Sequence, residues 1–522
     1  MGQGNPEIRI SVVLHCNVQN LADHSFERTF QSVLWQNYPP IEIIVLNQSA
    51  QDNLPVAGND VPVKNLKEQH ATLGAALSAA INVASGEYIL YLDNQSNEIR
   101  LKRGYLDVAT LMIEKYPRMG LFYADYDLID GDQVKEIRLL KHHYGRLRDN
   151  QDFGKVWLIT KAAWKGLGSL DTHLKYKFLY DLRLRISEKF EVQHVANRNG
   201  GGLYEVVAET QKHNVFDYLL AGKEAQLEAE AVLTNHLKRI GAYLKPGVGY
   251  HKRPGLQEHY DYVASVIIPV NNRPEFIGVA LESVLAQTVS SIEAIVVVNG
   301  GETDPTIDEV RRYLPGGERY QPNRPPVRLI VTDINNIGFS LNLGVKHARG
   351  RYYVQLDSDD RLKPDAVAKI VAVFDSDEYI GAVIGSYEVW EKKPDGKLER
   401  MESIPVVTHA EWTEENGRNN LLHINGAGAP RAIPIKIIKE MGYFGINDEP
   451  YARNYGEDYD LILKISERYR IGRVWEPIYE VVRHAGGTDH SIDQATIDRN
   501  DEAKDYMRLL AVQRRILINH SK

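Results

Sequence analysis

Apolar and polar positions follow a repeating order along this chain. An unbroken apolar run at 265–270 is followed by a segment in which Phe276, Ala280, Leu281, Val284 and Leu285 recur at helical spacing. A second apolar run follows at 295–298. The N-terminal part has the same order: an apolar run at 11–14, a helical face of Phe26, Phe30, Val33 and Leu34, and an apolar run at 43–46. Strands apolar on both faces and joined through helices predict βαβ units in a buried parallel sheet. Such sheets take ligands beyond the carboxyl ends of their strands, where Asn299-Gly300-Gly301 and Asp357-Ser358-Asp359 fall.

The two parts read as copies of each other. Ile10-Ser11-Val12-Val13-Leu14 parallels Ala264-Ser265-Val266-Ile267-Ile268, and Ser32-Val33-Leu34 with Gln36 parallels Ser283-Val284-Leu285 with Gln287. Gly86 leading to Asp93-Asn94-Gln95 parallels Gly350 leading to Asp357-Ser358-Asp359, and Leu179-Tyr180-Asp181-Leu182 parallels Asp458-Tyr459-Asp460-Leu461. The order holds while the spacing widens slowly, as in a duplicated domain with loop insertions. The expected division is a degenerate domain at 1–208, a connector at 209–258 and a second domain at 259–522. Within the connector, 225–240 reads as a charged amphipathic helix, followed by an extended linker broken by Pro246, Gly247, Gly249, Pro254 and Gly255. A second charged amphipathic helix is expected at 501–518, packing against the core or a partner, with its mixed charge read as a solvated face rather than a binding site.

Composition adds limits. A chain of 522 residues is too long for one ordinary core. A charged fraction of 25% and a hydrophobic fraction of 43% are ordinary for a soluble globular protein. The net charge of −8 argues against a nucleic-acid partner or a broad surface for anionic lipid. It also means that a phosphate-bearing substrate must be held by a metal or a local basic patch. The single cysteine, Cys16, excludes an intrachain disulfide, fits a reducing compartment and reads as a small buried residue. Apolar runs such as 263–270 are far shorter than the roughly 18 residues of a membrane span, and the first ten residues lack a signal peptide's apolar core. A cytoplasmic location is expected, with peripheral membrane association left open.

The chemistry-bearing residues cluster in copy two. Asp357 and Asp359, one residue apart on a turn after a strand, can converge on a hard cation such as Mg²⁺ or Mn²⁺ that bridges to a diphosphate. Taken alone, they read first as a solvated acidic turn, and the metal reading comes from their surroundings. Glu457-Asp458 opens a helix whose apolar face is Leu461, Ile462 and Ile465, where acids also suit the helix dipole. At the equivalent places copy one has Gln95 and Leu179.

In order, SVIIPVNNRPEF, SVLAQT, EAIVVVNGG, NIGFSLNLGVKHARG, LDSDD, GEDYDL and YEVVRHAGG resemble the family 2 glycosyltransferases, which have the GT-A fold (Rossmann-like, nucleotide-diphospho-sugar transferase). The resemblance spans roughly residues 265–487. The connector is similar to that of multidomain bacterial members that build surface polysaccharides, and copy one resembles the same fold without the chemistry. The resemblance therefore implies two tandem GT-A domains joined by a helical linker. It places Asp357 and Ser358 against the ribose side of the donor, with Asp357 and Asp359 as metal acids. Asp359 holds the cation on the diphosphate, and His484 contacts metal or diphosphate. Asp458, preceded by Glu457, becomes the base that deprotonates the acceptor hydroxyl. Pro269 and Arg273 line the nucleotide pocket, while Asn336, Gly338 and Asn342 lie in the donor-binding helix segment. Trp390, Trp412, His423 and Asn425 fall where the acceptor site is expected, and aromatic faces stack on sugar rings.

One departure concerns the base. The family carries one or two acids where this chain reads Val298-Asn299, and an acid there accepts the base N3–H. The Asn299 carbonyl can also accept, so a UDP-sugar is the first expectation and a dTDP-sugar the second. The expected activity is metal-dependent inverting transfer, with Mn²⁺ or Mg²⁺, from a nucleotide-diphosphate sugar to a glycan or other hydroxyl in surface polysaccharide synthesis. The cation neutralises the leaving diphosphate and a single carboxylate base accepts the hydroxyl proton. No covalent nucleophile is evident, which favours inversion. In copy one, Asp93 remains, but Gln95, Leu179, Ser78 (for Asn342) and Glu209 (for His484) make it non-catalytic. Two other classes compete. A nucleotidyltransferase needs a Gly-rich basic loop after the first strand, where this chain reads Val270-Asn271-Asn272-Arg273-Pro274. A non-catalytic glycan-binding or scaffold protein is disfavoured by the retained Asp357, Asp359, Glu457 and Asp458.

Overall fold

A computed structural model describes residues 7–49, 51, 54, 60–67, 70–196, 200–207, 222–393, 395–409, 415–424, 426–446, 455–484 and 494–521. Asn425, Trp412 and Glu209 lie outside the described residues. The chain divides into two compact units, Met1–His236 and Leu237–Lys522.

The first unit is built on a seven-stranded sheet. Its order is Glu191–Val195, Met119–Ala124, Val156–Thr160, Tyr88–Leu92, Ile10–Cys16, Glu42–Asn47, Val63–Leu66. Ile10–Cys16 pairs in parallel with Glu42–Asn47 and Tyr88–Leu92, and every residue of Ile10–Cys16 and Glu42–Asn47 is buried. A four-stranded sheet stands beside it in the order Glu98–Leu101, Tyr204–Val207, Tyr126–Asp130, Gln133–Ile137.

The second unit has one nine-stranded sheet. Its main path runs Val327–Val331, Ile292–Val298, Tyr262–Val270, Gly350–Gln355, Arg431–Pro434, Ile380–Lys392, Arg470–Arg483, Arg361–Leu362, with Leu398–Arg400 paired to Ile380–Lys392. The first four strands are parallel, and helices Pro274–Leu285 and Ala366–Ser376 pack Ile277, Leu281, Val284, Ile370 and Phe374 into the core. Neither main sheet is wholly parallel. Val156–Thr160 runs antiparallel to Tyr88–Leu92, and Arg431–Pro434 antiparallel to Gly350–Gln355. At five and four residues these strands are too short to show a period in sequence.

The repeated motifs build the same buried contacts twice. Ser11 Oγ donates to Glu42 at 2.6 Å and accepts from Gly86 N–H at 2.9 Å; Ser265 Oγ donates to Glu293 at 2.7 Å and accepts from Gly350 N–H at 2.9 Å. Gln36 donates to the carbonyls of Ser32 and Lys102 and accepts from Leu106 N–H. Gln287 does the same with Ser283, Lys363 and Val367. These side chains satisfy backbone groups where helices meet strands, and their role is architectural.

The C-terminal helix corrects an expectation. Gln494–His520 carries Asp505, Arg508 and Arg515 fully buried rather than on a solvated face. Arg508 pairs with Asp505 at 2.5 Å and donates to Tyr459 Oη at 2.9 Å and to the Ile424 carbonyl at 2.7 Å. Arg515 donates to the Arg418 carbonyl at 2.6 Å and to Ser466 Oγ at 3.1 Å. Buried charges with partners read in sequence like solvated ones, which is why the pattern misled.

Candidate active site

In the second unit the acids emerge where the parallel strands end. Gly350–Gln355 delivers Leu356 to the core and turns outward at Asp357, whose backbone N–H donates to Tyr479 Oη at 3.1 Å. Asp357 is half-buried, and its carboxyl is raised by burial, opposed by the Arg431 charge and reinforced by Asp359. Asp360 is buried and accepts Val482 N–H at 2.8 Å, tying the turn to the strand Arg470–Arg483. Burial, with the charges of Asp357 and Asp359, pushes the Asp360 carboxyl well up. That tie brings in His484, whose Nε2 lies 3.0 Å from Asp359 Oδ2. Among the described residues no group of three or more His, Cys, Asp or Glu is assembled as a metal cage.

Helix Glu457–Ser466 begins at Gly456, in the left-handed region with φ 84°, and presents Asp458 to the same strand ends. Asp458 Oδ2 lies 3.0 Å from Arg431 Nη1. Arg431 Nε in turn donates to Gln355 Oε1 at 3.2 Å, and Gln355 Nε2 donates to Asp357 Oδ1 at 3.2 Å. Arg431 therefore connects the acid after one strand with the acid at the start of a helix about a hundred residues away. Its guanidinium is held more firmly protonated: burial opposes the charge, but Asp458 and Asp357 outweigh it. Glu457 is buried, and burial followed by the Asp458 charge raises its carboxyl; its Oε2 has no hydrogen-bond partner.

The remaining expected residues fall as follows. Asn299 is buried; its Nδ2 donates to Ser340 Oγ at 3.0 Å, and its Oδ1 is buried without a partner. Asn336 caps helix Ile337–His347 by accepting Phe339 N–H at 2.8 Å. At Gly338 a Cβ would lie 1.9 Å from the Gly445 carbonyl oxygen, so only glycine permits that approach. Asn342 donates to the Phe444 carbonyl and accepts from the Phe444 N–H, both at 2.9 Å, and so clamps that loop. Pro269 is half-buried one residue before the end of its strand, and Arg273 N–H donates to Thr306 Oγ1 at 2.9 Å. Ser358 is half-buried on the acid turn. Trp390 lies beneath Arg361, 5.4 Å from ring centroid to guanidinium, with its indole N–H buried and unpartnered; His423 is buried.

Sequence reasoning missed Arg431, Phe276 and Lys392. The Phe276 ring packs with its centroid 4.3 Å from that of the His484 ring, and Lys392 Nζ lies over the Phe276 ring, 4.3 Å from its centroid. This places a cation beside the pair of Asp359 and His484. Arg431 sits in an otherwise apolar strand, RAIP, and an isolated arginine there was the available signal.

A parallel-stranded α/β domain with two acids at a strand end and a third opposite is the arrangement of a GT-A glycosyltransferase. The comparisons agree: the model of glycosyl transferase family 2 matches residues 15–94 and 265–427, one stretch in each unit, which supports a family 2 glycosyltransferase with two tandem domains. An uncharacterized glycosyltransferase of Rickettsia felis is 25% identical over 508 residues, covering 91% of this chain and 80% of that protein. The chondroitin synthase of Pasteurella multocida is 28% identical over 270 residues, covering 51% of this chain and only 25% of the synthase. Among solved structures, S. aureus TarS 1–349 in complex with UDP-GlcNAc aligns at 18% identity and a TM-score of 0.34, over 45% of this chain and 64% of that one. No helix among the described residues is long and apolar enough to cross a membrane.

Proposed function

We propose that the second domain is a metal-dependent inverting glycosyltransferase that moves a sugar from a nucleotide diphosphate to a glycan hydroxyl in surface polysaccharide synthesis. The observation that carries this reading is the convergence of Asp458, Arg431, Gln355 and Asp357 through contacts of 3.0–3.2 Å. Asp359 and His484, with Asp357 beside them, fit Mn²⁺ or Mg²⁺. Oxygen donors with one imidazole suit such ions, which commonly take one or two carboxylates and complete their shell with substrate phosphates. When bound, the cation neutralises charge that develops on the departing diphosphate.

The chain's own residues do the rest. Asp458 accepts the proton of the acceptor hydroxyl, a contribution of about 10²–10⁴ in rate. Arg431 fixes the orientation of that carboxylate. Attack from the side opposite the diphosphate, with a single base and no covalent intermediate, inverts the anomeric centre. The unpartnered Asn299 Oδ1 is the acceptor for the imide N–H of uracil, or of thymine. Trp390 and His423 line the acceptor side. The first domain, with Gln95 and Leu179 at the two acid positions, is assigned as non-catalytic.

The test is nucleotide release from UDP-, dTDP- and GDP-sugars with Mn²⁺ or Mg²⁺, comparing the intact chain with Asp359→Ala. The expected result is release from a uridine donor, abolished by chelator and by the substitution, with the product's anomeric configuration inverted. Release that survives both treatments overturns the reading.

A further inference from the structure

We propose that the cleft of the N-terminal domain is a saccharide site that binds uncharged sugar residues and does not bind nucleotide. Two cavities, of about 410 and 180 Å³, adjoin there, and Asp93 and Leu179 line both. The larger falls within the roughly 300–1,000 Å³ of small-molecule sites. This cleft occupies the place that the acid turn and the base helix occupy in the second domain.

One polar side chain of the cleft has no partner among the described residues. In the wall of the smaller cavity, both the nitrogen and the oxygen of the Gln151 amide are buried and hydrogen-bonded to nothing. An unsatisfied buried polar group costs about 1–3 kcal/mol, so a fold that leaves two on one side chain leaves room for a ligand that both donates and accepts. Sugar hydroxyls do both. Tyr176, 56% exposed, stands at the larger cavity and offers a ring face for stacking.

The same walls exclude a diphosphate. Gln95 replaces the metal-holding acid. Lys155 is 3.3 Å from Asp93 and so already has a counter-charge; Asp149 is likewise paired with Lys177 at 2.6 Å, and Asp152 adds negative charge to the smaller cavity. Three successive backbone N–H groups, of Lys175, Tyr176 and Lys177, form an anion-binding concavity ahead of helix Phe178–Lys189. That concavity is filled from within the domain: all three donate to the Glu228 carboxylate at 2.7–2.8 Å.

The experiment is calorimetric titration of the intact chain carrying Asp359→Ala, which silences the second domain's donor site, with cellotetraose, with chitotetraose, and with UDP without metal. One tetrasaccharide is expected to bind, Gln151→Leu and Gln95→Ala are each expected to weaken it at least tenfold, and UDP is expected not to displace it. Thermal unfolding of Gln151→Leu is expected to be unchanged or raised, because that amide makes no contact the fold would lose. The proposal is overturned if neither tetrasaccharide binds, if binding ignores both substitutions, or if UDP competes. Donor turnover at the second domain is read separately, so failure here leaves that reading standing.

Discussion

The two domains share the polar contacts that build the fold and differ in the residues that would carry chemistry. Ser11–Glu42 and Ser265–Glu293 form the same buried knot, and Gln36 and Gln287 the same helix-to-strand clamp. The run Glu457-Asp458-Tyr459-Asp460 divides along this line. Tyr459 Oη donates to the Leu421 carbonyl as Tyr180 Oη does to that of Leu147, and Asp460 pairs with Lys464 at 2.7 Å as Asp181 does with Arg185. The first two positions are Phe178 and Leu179 in the first domain. Half of an apparent catalytic motif is therefore scaffold, and the internal repeat tells the halves apart.

The strongest test is to give the second domain the first domain's residues. Asp458→Leu is expected to lower turnover by about 10²–10⁴, measured as nucleotide release with acceptor present. Asp359→Gln is expected to abolish the response to Mn²⁺. The reverse exchange, Gln95→Asp with Leu179→Asp in a chain already carrying Asp458→Leu, is expected to create no activity. The reason lies in strand pairing. Tyr91 faces Trp157 across the antiparallel pair, where continuing the Tyr353–Ile433 and Val354–Ala432 register sets Gln355 opposite Arg431. The first domain has no guanidinium there to hold a restored base.

Arg431→Trp imports that difference directly. Removing one member of a buried ion pair typically costs about 3–5 kcal/mol, because Asp458 and Asp357 lose their counter-charge. A lower denaturation midpoint together with reduced kcat is expected. Arg431→Lys is expected to recover part of the stability and little of the rate, since a lysine cannot reach both Asp458 and Gln355 in the same plane. Full activity in Arg431→Lys would make the arginine a charge donor only.

These assignments explain what could be read from the chain. The apolar runs and the repeat marked the parallel strands, because strands buried on both faces must be apolar throughout. The acid turn and Asp458 stood out because carboxylates at strand ends and helix starts are sparse among apolar runs. Arg431 left only the mark of an isolated arginine in a four-residue apolar strand; its partners lie at Gln355 and Asp458, so the folded register was needed to give it a role. Asp360 read as one more acid of the turn, yet it binds the Val482 N–H and positions the strand that ends at His484. The buried arginines of the last helix were hidden for the same reason: their partners are carbonyls and a tyrosine, which carry no charge pattern.

The shared scaffold predicts equal effects in both domains. Ser11→Ala and Ser265→Ala each remove a donor to a buried glutamate and an acceptor for a glycine N–H, at about 1–3 kcal/mol each. Denaturant unfolding is expected to show similar losses for the two substitutions, with nucleotide release per folded molecule unchanged for Ser11→Ala. A loss confined to one domain would mean the knots are not equivalent.

The smallest effect concerns Glu457, a buried carboxyl where the first domain has Phe178. Burial and the neighbouring Asp458 charge raise its pKa in the folded state. Unfolded, it returns to the ordinary value of about 4.3. Between those values the folded chain keeps a proton that the unfolded chain has released, so stability falls as pH rises across that window and is flat above it. Glu457→Gln removes the titration while keeping the shape. Its stability relative to the parent chain is therefore expected to increase from pH 5 towards neutral pH, read as the difference in denaturation midpoint. Phe178→Leu, at the matching place in the first domain, is expected to give a pH-independent difference. A flat difference for Glu457→Gln would mean that Glu457 is ionised in the fold and acts beside Asp458 as a second carboxylate.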